Sequence, residues 1–457
     1  MTTHEVDVVV VGLGPGGEYA AQKLAEAGLD VVGVERDLVG GECPFYGCIP
    51  SKMMIRASDA LGEARRAEDL AGDVTVVPDW SLVATRIDKQ ATNHWDDASH
   101  TTRLEEAGVR IVRGHARLDG PGRVRVGEDT YVAARGVVLN SGTEPARLPI
   151  DGLADTPYWT NREVVKVTEL PASLAVIGGG PIGAELAQVF ARFGSAVTVI
   201  EVADRILGPE EPEAADVVAG VFAEEGIEVV TGAEISRVEH DGGFRIHVDG
   251  RVVEVEQLLV AAGRSPHIAD VGVDTVGLDP RARSVETDER MRAGERLWAI
   301  GDITGKGAFT HVSMYQGAVV VRDILGEDGP WADYRAVSRV TFTDPEVGSV
   351  GLTEKQAREQ GISVVVGRSE IPESSRGWIH QAGNHGVIKL VCDADRGVLV
   401  GATSVGPSGG EVLGLLALAV HAEVPVATLR TMHFAYPTFH RAIESALDDL
   451  PRAVAGV

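Results

Sequence analysis

The chain has 457 residues, 44 % of them hydrophobic and 24 % charged, which exceeds the roughly 250–300 residues of one hydrophobic core and predicts two to four domains. Its 68 acidic and 42 basic residues leave a net charge of −26, which argues against nucleic acid and anionic membranes as partners. No segment approaches the ~20 apolar residues of a membrane-spanning helix. The first residues show no signal-peptide pattern, so we expect a cytoplasmic protein.

The chain opens with a strand, a glycine-rich turn and a helix. The strand Asp7–Val11 is followed by glycines at the spacing of a dinucleotide-binding fingerprint, and a helix is expected over residues 18–27. Such glycines let the backbone approach a pyrophosphate at a helix N-terminus, and a carboxylate ending the next strand accepts the ribose hydroxyls. The residues in these positions are Gly12, Gly14, Gly17 and Glu35.

Two cysteines follow the first ribose carboxylate closely. Cys43 and Cys48 lie five residues apart, whereas Cys392 stands alone in a strand-like segment typical of a core. Packing cysteines or half of a zinc site are the alternatives, but the sequence holds no second cysteine or cysteine–histidine pair. The pair therefore predicts a redox-active dithiol beside the bound dinucleotide.

A second copy of strand, glycine turn and helix begins at Leu174. Its fingerprint glycines are Gly178, Gly180 and Gly183, and Glu201 ends the following strand. From the first glycine to the carboxylate the distance is 35 − 12 = 23 residues in the first copy and 201 − 178 = 23 in the second. The repeat predicts two dinucleotide sites in one chain.

The remaining segments complete these folds and add another. Two further segments in which a strand ends at a glycine occur near Gly263 and Gly301. From about residue 336 the pattern of predicted strands and helices changes. We predict an α/β fold with two Rossmann-like, doubly wound dinucleotide-binding domains and a C-terminal α+β domain. The C-terminal elements are expected as strands near residues 338–343 and 386–391, and as helices over 411–422 and 438–447.

The motif Gly-Gly-x-Cys-x4-Cys-x-Pro-Ser-Lys, ending at Lys52, resembles the redox loop of the pyridine nucleotide-disulfide oxidoreductases, which include dihydrolipoamide dehydrogenase, glutathione reductase and mercuric reductase. The resemblance covers roughly residues 6–450. It implies FAD at the first fingerprint, NAD(P)H at the second and a homodimer. The implied domains are FAD-binding over 1–148 and 269–335, NAD(P)H-binding over 149–268, and dimerisation over 336–457.

The resemblance also implies roles for single residues and no metal site. Cys48 is expected against the flavin as a thiolate, Cys43 as the group that attacks substrate, and Lys52 paired with Glu185 near the reactive flavin nitrogen. A cation there stabilises the charge left by reduction; a surface lysine and a solvated helix acid are the alternatives. Further implied contacts are Arg36, Gly41, Lys52, Gly142, Gly301 and Asp302 for FAD, and Glu185, Glu201 and Gly263 for NAD(P)H.

The second fingerprint favours NADH over NADPH. A carboxylate such as Glu201 accepts the ribose 2′-hydroxyl and repels a 2′-phosphate. Arg205, four residues later, is the residue that could still reach the phosphate. We therefore expect FAD and NADH as cofactors, with NADH preferred.

The substrate side departs from the family pattern at the C-terminus. Where the family has His-Pro-Thr-x-x-Glu as its acid–base motif, this chain has Tyr436 and Arg441 in place of the histidine and glutamate. With an ordinary pKa near 10, tyrosine is a poor base at pH 7. His433 and His440 are the alternative acid–base groups.

The redox loop also departs from the family. Glu42 replaces the usual threonine before Cys43, and Phe45 and Tyr46 stand where the family has a sequence containing asparagine. We expect the carboxylate to disfavour the Cys43 thiolate and the aromatic residues to narrow the approach to the disulfide.

Three functions remain open. The main prediction is NADH-dependent reduction of a small disulfide, or the reverse thiol oxidation, as in dihydrolipoamide dehydrogenase. The alternative is reduction of a mercuric or other metal ion, a quinone or another electrophile, because Tyr436 and Arg441 replace the acid–base pair; mercuric reductases share the tyrosine but use a further cysteine pair. A redox-sensing flavoprotein is the third, and the intact nicotinamide fingerprint argues against it.

Overall fold

The protein, in a computed structural model that describes residues 2–452, is arranged in two compact units. The first comprises residues 2–50, 85–146 and 264–333, and the second comprises 51–84, 147–263 and 334–452. The four predicted domain limits stay predictions, because the second unit joins segments expected to form separate NAD(P)H-binding and dimerisation domains.

The first unit is centred on an eight-stranded sheet. Its central strand is parallel to both neighbours, and Val8, Val9 and Val10 on that strand are fully buried. Such an apolar run is typical of a parallel strand covered on both faces. The strand order is Arg292–Gly294, Leu297–Ala299, Asp129–Leu139, Thr3–Val11, Val31–Glu35 and Arg110–Arg113, with Ala116–Leu118 and Arg123–Val126 joined to Asp129–Leu139.

The helices of the first unit pack beside this sheet and connect its strands. The first helix begins at Pro15, three residues before the predicted start, because the fixed φ of proline suits the first helical position. A two-stranded antiparallel ladder pairs Thr143–Pro145 with Arg264–Pro266. The helical segments are Pro15–Glu26, Glu42–Phe45, Ala98–Glu106 and Thr310–Leu325, the π-helical turn Ile87–Ala91, and the 3₁₀ turns Val273–Val276 and Gly301–Thr304.

The second unit repeats the parallel arrangement on a smaller scale. Its four-stranded sheet has the order Glu228–Val230, Ala196–Ile200, Ser173–Ile177 and Gln257–Val260. A separate antiparallel sheet follows in the chain, and proline again begins the helix after the glycine turn. These further elements are strands Ile235–His240, Phe244–Val248 and Arg251–Val255, helices Asn161–Val164, Pro181–Arg192 and Pro212–Glu224, and the 3₁₀ turn Leu153–Asp155.

The C-terminal part of the second unit is an antiparallel sheet covered by helices. The apolar side chains Leu413, Leu416 and Val420 of one helix and Leu447 of another are buried in its core. The predicted helix over 438–447 instead begins at Ala442, after a 3₁₀ turn. The strand order is Ser338–Thr341, Glu346–Gly351, Val398–Gly406, Val387–Asp393 and Val364–Glu370; the helical segments are Glu354–Glu359, Ser375–His380, Gly409–His421, Val426–Leu429, Phe439–Arg441 and Ala442–Asp449.

Two further helices, Cys48–Leu70 and Trp80–Arg86, complete the secondary structure. The sequence pattern predicts a helix over residues 55–70, and the structure begins it seven residues earlier, at the second cysteine itself. Within residues 2–452, no helix is both long and apolar enough to span a bilayer. The architecture confirms the predicted fold class.

Candidate active site

The first glycine turn, in the first unit, leaves room for backbone only. A Cβ atom at Gly12, where φ is +90°, would lie 2.2 Å from the carbonyl oxygen of Asn140, and one at Gly17 would lie 2.0 Å from that of Gly12. At Gly41, where φ is +69°, an added Cβ atom would lie 2.8 Å from the Cα of Gly14. The redox loop therefore packs directly on the turn that was predicted to bind FAD.

Glu35 closes this turn from the end of its strand. One carboxylate oxygen accepts a hydrogen bond from the Leu13 backbone N–H at 2.7 Å, and the other accepts from the Asp37 N–H at 2.8 Å. Burial raises the pKa of Glu35. Arg36 is more exposed and lies 3.8 Å from Asp270. The carboxylate is thus held at the place where ribose hydroxyls are bound in such folds.

Asp302 lies on the same unit, in the 3₁₀ turn Gly301–Thr304. Its carboxylate accepts a 2.8 Å hydrogen bond from the Thr143 hydroxyl. The Gly301 N–H donates to the side-chain oxygen of Gln316 at 2.6 Å. Gly142 has φ of +71° and open space beside it. These groups are positioned by hydrogen bonds, and their predicted contact with FAD stays a prediction.

Cys43 and Cys48 lie side by side as free thiols joined by a hydrogen bond. The Thr310 hydroxyl is 3.4 Å from the Cys48 sulfur. The hydrogen bond to Cys48 and burial both raise the pKa of Cys43. Cys43 is therefore the thiol that keeps its proton at neutral pH, and the thiolate role of Cys48 stays a prediction.

The structure corrects the expectation for one of the two aromatic residues. Phe45 is 2 % exposed and packs with its ring centroid 5.6 Å from that of His100. Its carbonyl oxygen accepts a 3.2 Å hydrogen bond from the Trp95 indole. Phe45 is therefore a packing residue that anchors the redox loop, and only Tyr46 retains exposed surface.

Glu42 forms an ion pair that the sequence did not indicate. Its carboxylate lies 3.2 Å from a guanidinium nitrogen of Arg264. The same guanidinium donates to the hydroxyl and the carbonyl oxygen of Thr143, at 2.6 and 2.8 Å. The charge expected to disfavour the Cys43 thiolate is thus offset by a cation from residue 264. Sequence analysis predicted a role only for the preceding residue, Gly263, and not for Arg264.

The second glycine turn, in the second unit, reproduces the first. A Cβ atom at Gly178 would lie 2.7 Å from the Ala261 carbonyl, and one at Gly183 would lie 1.9 Å from the Gly178 oxygen. Glu201 accepts from the N–H groups of Gly179 and Ala203, at 2.6 and 2.8 Å. These are the same relative positions that Glu35 binds, so the predicted repeat is also a repeat of hydrogen bonds. Open space surrounds the remaining glycines, Gly180 and Gly263.

Lys52 and Glu185 form the predicted ion pair within the second unit. The ammonium lies 2.8 Å from one oxygen of the buried Glu185 carboxylate and 4.7 Å from the centroid of the Phe342 ring. The other oxygen accepts a 2.8 Å hydrogen bond from the Phe342 N–H. Two partners thus fix the carboxylate in its buried position. The catalytic role of the pair stays a prediction.

Sequence reasoning missed a buried cluster around Arg192. The guanidinium is 2 % exposed and lies 2.6 Å from Glu225, 2.7 Å from Asp344 and 3.3 Å from Asp59. Gln188 on the same helix accepts from the Asp344 N–H and donates to the Asp344 carbonyl oxygen. A signal was present, because polar residues at 185, 188 and 192 share one face of an otherwise apolar helix.

Asp59→Asn is expected to raise stability more at pH 8 than at pH 5. Burial and the Asp344 carboxylate raise the pKa of Asp59 to about 7, compared with about 3.9 in an unfolded chain. The folded state then binds more protons between these values, so the contribution of Asp59 to stability falls as pH rises. Thermal unfolding at both pH values measures the difference, which is expected to stay below about 1 kcal/mol because Asp59 is partly exposed.

Asp30→Asn is the control for this experiment, because Asp30 forms an exposed ion pair with Arg110. Its effect should be the same at both pH values. If Asp59→Asn and wild type change in parallel with pH, the raised pKa is contradicted.

Tyr436 lies on the surface of the second unit and is 68 % exposed. The Arg441 guanidinium carbon is 5.4 Å from its ring centroid, and Arg441 also pairs with Glu444 at 2.7 Å. His433 is exposed and His440 is half-buried. Arg441 therefore occupies the position of the family glutamate but, as a cation that only donates hydrogen bonds, it cannot replace a carboxylate as an acceptor. Which of Tyr436, His433 and His440 serves as an acid–base group stays a prediction.

The two turns fit dinucleotides, because each pairs glycines that exclude side chains with a fixed carboxylate at the ribose position. Within residues 2–452, no group of three or more His, Cys, Asp or Glu side chains is arranged to bind a metal ion. Two dinucleotide folds and a dithiol define a flavin- and pyridine nucleotide-dependent oxidoreductase.

Comparison with known proteins places the chain more narrowly. Residues 6–317 match the family described as pyridine nucleotide-disulphide oxidoreductase, and residues 337–447 match the dimerisation domain of that family. The chain belongs to the pyridine nucleotide-disulphide oxidoreductase family. It is an enzyme that uses FAD and a pyridine nucleotide, and the dimerisation domain supports a homodimer.

Two curated relatives and one solved structure show the range of similar proteins. A dihydrolipoyl dehydrogenase of Halobacterium salinarum is 36 % identical over 98 % of this chain and 97 % of its own length. A mercuric reductase of Staphylococcus aureus is 31 % identical over 97 % of this chain and 82 % of its own. The Cu(II) complex of the HOCl-induced flavoprotein disulfide reductase RclA from Escherichia coli aligns with a TM-score of 0.85 at 26 % identity, over 97 % and 99 % of the two chains.

Proposed function

We propose that the enzyme reduces a small disulfide with electrons from NADH, or oxidises the corresponding dithiol in the reverse direction. The observation that carries this proposal is the hydrogen-bonded pair of thiols, Cys43 and Cys48, on a loop that packs against the first glycine turn. The similarity to dihydrolipoyl dehydrogenases supports the same class of substrate. FAD, when bound, accepts a hydride from NADH and delivers two electrons to a disulfide.

The two cysteines then share the chemistry of exchange. Reduction of the Cys43–Cys48 disulfide yields a thiol and a thiolate. Cys43 loses its proton and attacks one sulfur of the substrate, which forms a mixed disulfide and releases the first substrate thiolate. Cys48 attacks Cys43, re-forms the internal disulfide and releases the second thiolate. The substrate gains two electrons from the cysteines and two protons, one given up by Cys43 and one from water.

Proton transfer at Cys43 is the step for which this chain differs from the family pattern. The raised pKa of Cys43 makes a proton acceptor necessary, and the departing substrate thiolate is that acceptor. We propose that Tyr436 donates a hydrogen bond or a proton to the departing thiolate instead of acting as a base, since a phenol is a poor base at neutral pH. In a homodimer this residue would act on the active site of the partner, as the family resemblance implies.

The enzyme is expected to use NADH at least tenfold more efficiently than NADPH, as measured by kcat/KM. Glu201 stands at the ribose position, and the Arg205 guanidinium donates to the carbonyl oxygens of Gly208 and Glu210, at 2.9 and 3.4 Å. The arginine is thus committed to its own loop, while the carboxylate repels a 2′-phosphate.

Glu201→Gln should lower the ratio of kcat/KM for NADH to kcat/KM for NADPH by roughly tenfold, which corresponds to about 1.4 kcal/mol. Glu228→Gln is the matched control, because Glu228 is half-exposed and pairs with Arg251. A tenfold preference of wild type for NADPH would defeat the prediction.

The proposed function is tested by anaerobic titration of the FAD-loaded enzyme with NADH. Uptake of four electrons per subunit, with a long-wavelength band from a thiolate beside oxidised flavin, is expected because both flavin and disulfide accept two electrons. Steady-state assays with lipoamide and other small disulfides then define the substrate. Uptake of only two electrons without that band would exclude the dithiol mechanism.

A second candidate is the reduction of a non-disulfide acceptor. The observation in its favour is Tyr436, exposed at the position of the family histidine, because transfer of electrons to a metal ion or quinone needs no base at Cys43. The similar mercuric reductase and the Cu(II) complex of RclA support metal ions as the first acceptors to assay. Hg(II), Cu(II) and a quinone in the same acceptor panel separate this candidate from disulfide reduction.

A further inference from the structure

The ion pair of Glu42 and Arg264 lies next to the attacking cysteine in the chain, and we propose that it tunes the reactivity of Cys43 through two opposed charges. Glu42 lowers the reactivity, and Arg264 raises it. The inference rests on the proposed role of Cys43 as the thiol that attacks the substrate. It adds Arg264, to which no motif assigns a role, to the expectation that Glu42 disfavours the Cys43 thiolate.

Glu42 is tied to Cys43 by covalent and secondary structure. It is the first residue of the short helix Glu42–Phe45, and Cys43 is the second. The side chains of Glu42 and Arg264 are 27 % and 21 % exposed, and their charged atoms are 3.2 Å apart. Partial burial weakens screening by water and salt, so the charges act on the neighbouring thiol more strongly than a surface pair would.

Arg264 is held in place by contacts that do not involve Glu42. Its guanidinium donates to the hydroxyl and the carbonyl oxygen of Thr143. The strand Arg264–Pro266 is paired with Thr143–Pro145 by an antiparallel ladder, and the Thr143 hydroxyl donates onward to Asp302. Removing the Glu42 charge should therefore leave the cation near its present position.

The two members then have opposite effects. Without the carboxylate, the Arg264 cation favours the Cys43 thiolate; without the cation, the Glu42 carboxylate disfavours it. Together they nearly cancel. The largest influences on the pKa of Cys43 are Cys48, burial and the Thr310 hydroxyl, and the charges of the pair add a smaller effect to these. The pair accounts for how the family threonine can be replaced by glutamate without an uncompensated negative charge.

The test is the rate at which iodoacetamide alkylates Cys43 in the NADH-reduced, FAD-loaded enzyme at one fixed pH, followed by peptide mass spectrometry. We expect Glu42→Gln to raise the rate about threefold and Arg264→Gln to lower it about threefold, which corresponds to a change of roughly half a pKa unit in each direction. The double variant should return to within about twofold of wild type. Iodoacetate, an anion, should show larger changes with the same signs.

Further variants separate charge from folding. Glu42→Thr should behave as Glu42→Gln does, and Arg264→Lys, which keeps the charge, should stay near wild type. Asp30→Asn is the control for an exposed pair in the same unit. A fall in rate for both Glu42→Gln and Glu42→Thr, or wild-type rates in all variants, overturns the inference. Alkylation needs no disulfide substrate, so loss of the proposed function would not by itself produce either result.

Discussion

Cys43→Ser is expected to lower NADH-dependent disulfide reduction by at least about 10³-fold, because the variant has no sulfur with which to form the mixed disulfide. Cys48 remains beside Thr310, which lies 3.4 Å from its sulfur. The single thiolate should therefore still form next to the flavin, and the long-wavelength band should be present without reduction by NADH. The measurements are kcat/KM with the best disulfide and the visible spectrum of the resting enzyme.

Cys392→Ala provides the matched control for this experiment. Cys392 is fully buried in the C-terminal core, and burial raises its pKa to about 11, so it is inert as a thiolate at neutral pH. Its replacement should leave kcat/KM within about twofold of wild type, at a cost in stability of about 1 kcal/mol. If Cys43→Ser instead retains full turnover with the best acceptor, the flavin reduces that acceptor directly and the second candidate function replaces the first.

Arg192→Leu is expected to lower the midpoint of thermal unfolding by about 10 °C. The substitution removes the buried cation shared by Glu225 and Asp344, which are partly buried; Asp344 keeps Arg66 at 2.6 Å, whereas Glu225 loses its arginine. Breaking a buried ion pair costs about 3–5 kcal/mol. In a unit of this size each kcal/mol corresponds to roughly 2–4 °C. The loss should be larger at pH 8 than at pH 5, because Asp59, whose pKa burial raises to about 7, is more fully ionised at pH 8 and then depends more on the cation.

Arg251→Leu is the control with the same change of side chain. Arg251 and Glu228 form an ion pair in which both side chains are about half exposed, 49 % and 50 %. Exposed pairs contribute at most about 1 kcal/mol, so the midpoint should shift by less than about 3 °C. Equal shifts for the two variants would show that burial does not distinguish the pairs.

The same cluster places a constraint on Glu185. Glu185, Gln188 and Arg192 bind the segment Phe342–Asp344 on successive turns of one helix. The segment in turn supplies the N–H group that holds the Glu185 carboxylate against Lys52. Thermal measurements on Arg192→Leu are therefore best accompanied by the rate of flavin reduction by NADH, which is predicted to depend on that pair.

Several sequence predictions were confirmed because they depend on residues close together in the chain. Each glycine turn and its carboxylate lie within 24 residues, and the structure closes both with the same two hydrogen bonds. The helix Cys48–Leu70 was predicted with a start seven residues too late, because its first two turns belong to the cysteine motif and were assigned to a loop. The 3₁₀ turn Phe439–Arg441 was missed for a similar reason, since one turn carries little periodic signal.

The amino-acid sequence by itself determined the α/β class, the family, the two dinucleotide turns and the presence of a cysteine pair. All of these features depend on residues that are close together in the chain, because neither a glycine at positive φ nor a second thiol five residues away requires a partner from a distant segment. Only the tertiary structure decided that Glu42 forms an ion pair with Arg264 and that Phe45 is buried. It also decided that Arg192 forms ion pairs with residues 59, 225 and 344. Burial and ion pairing between residues far apart in the chain depend on how the folded chain brings them together, and no local pattern encodes that distance.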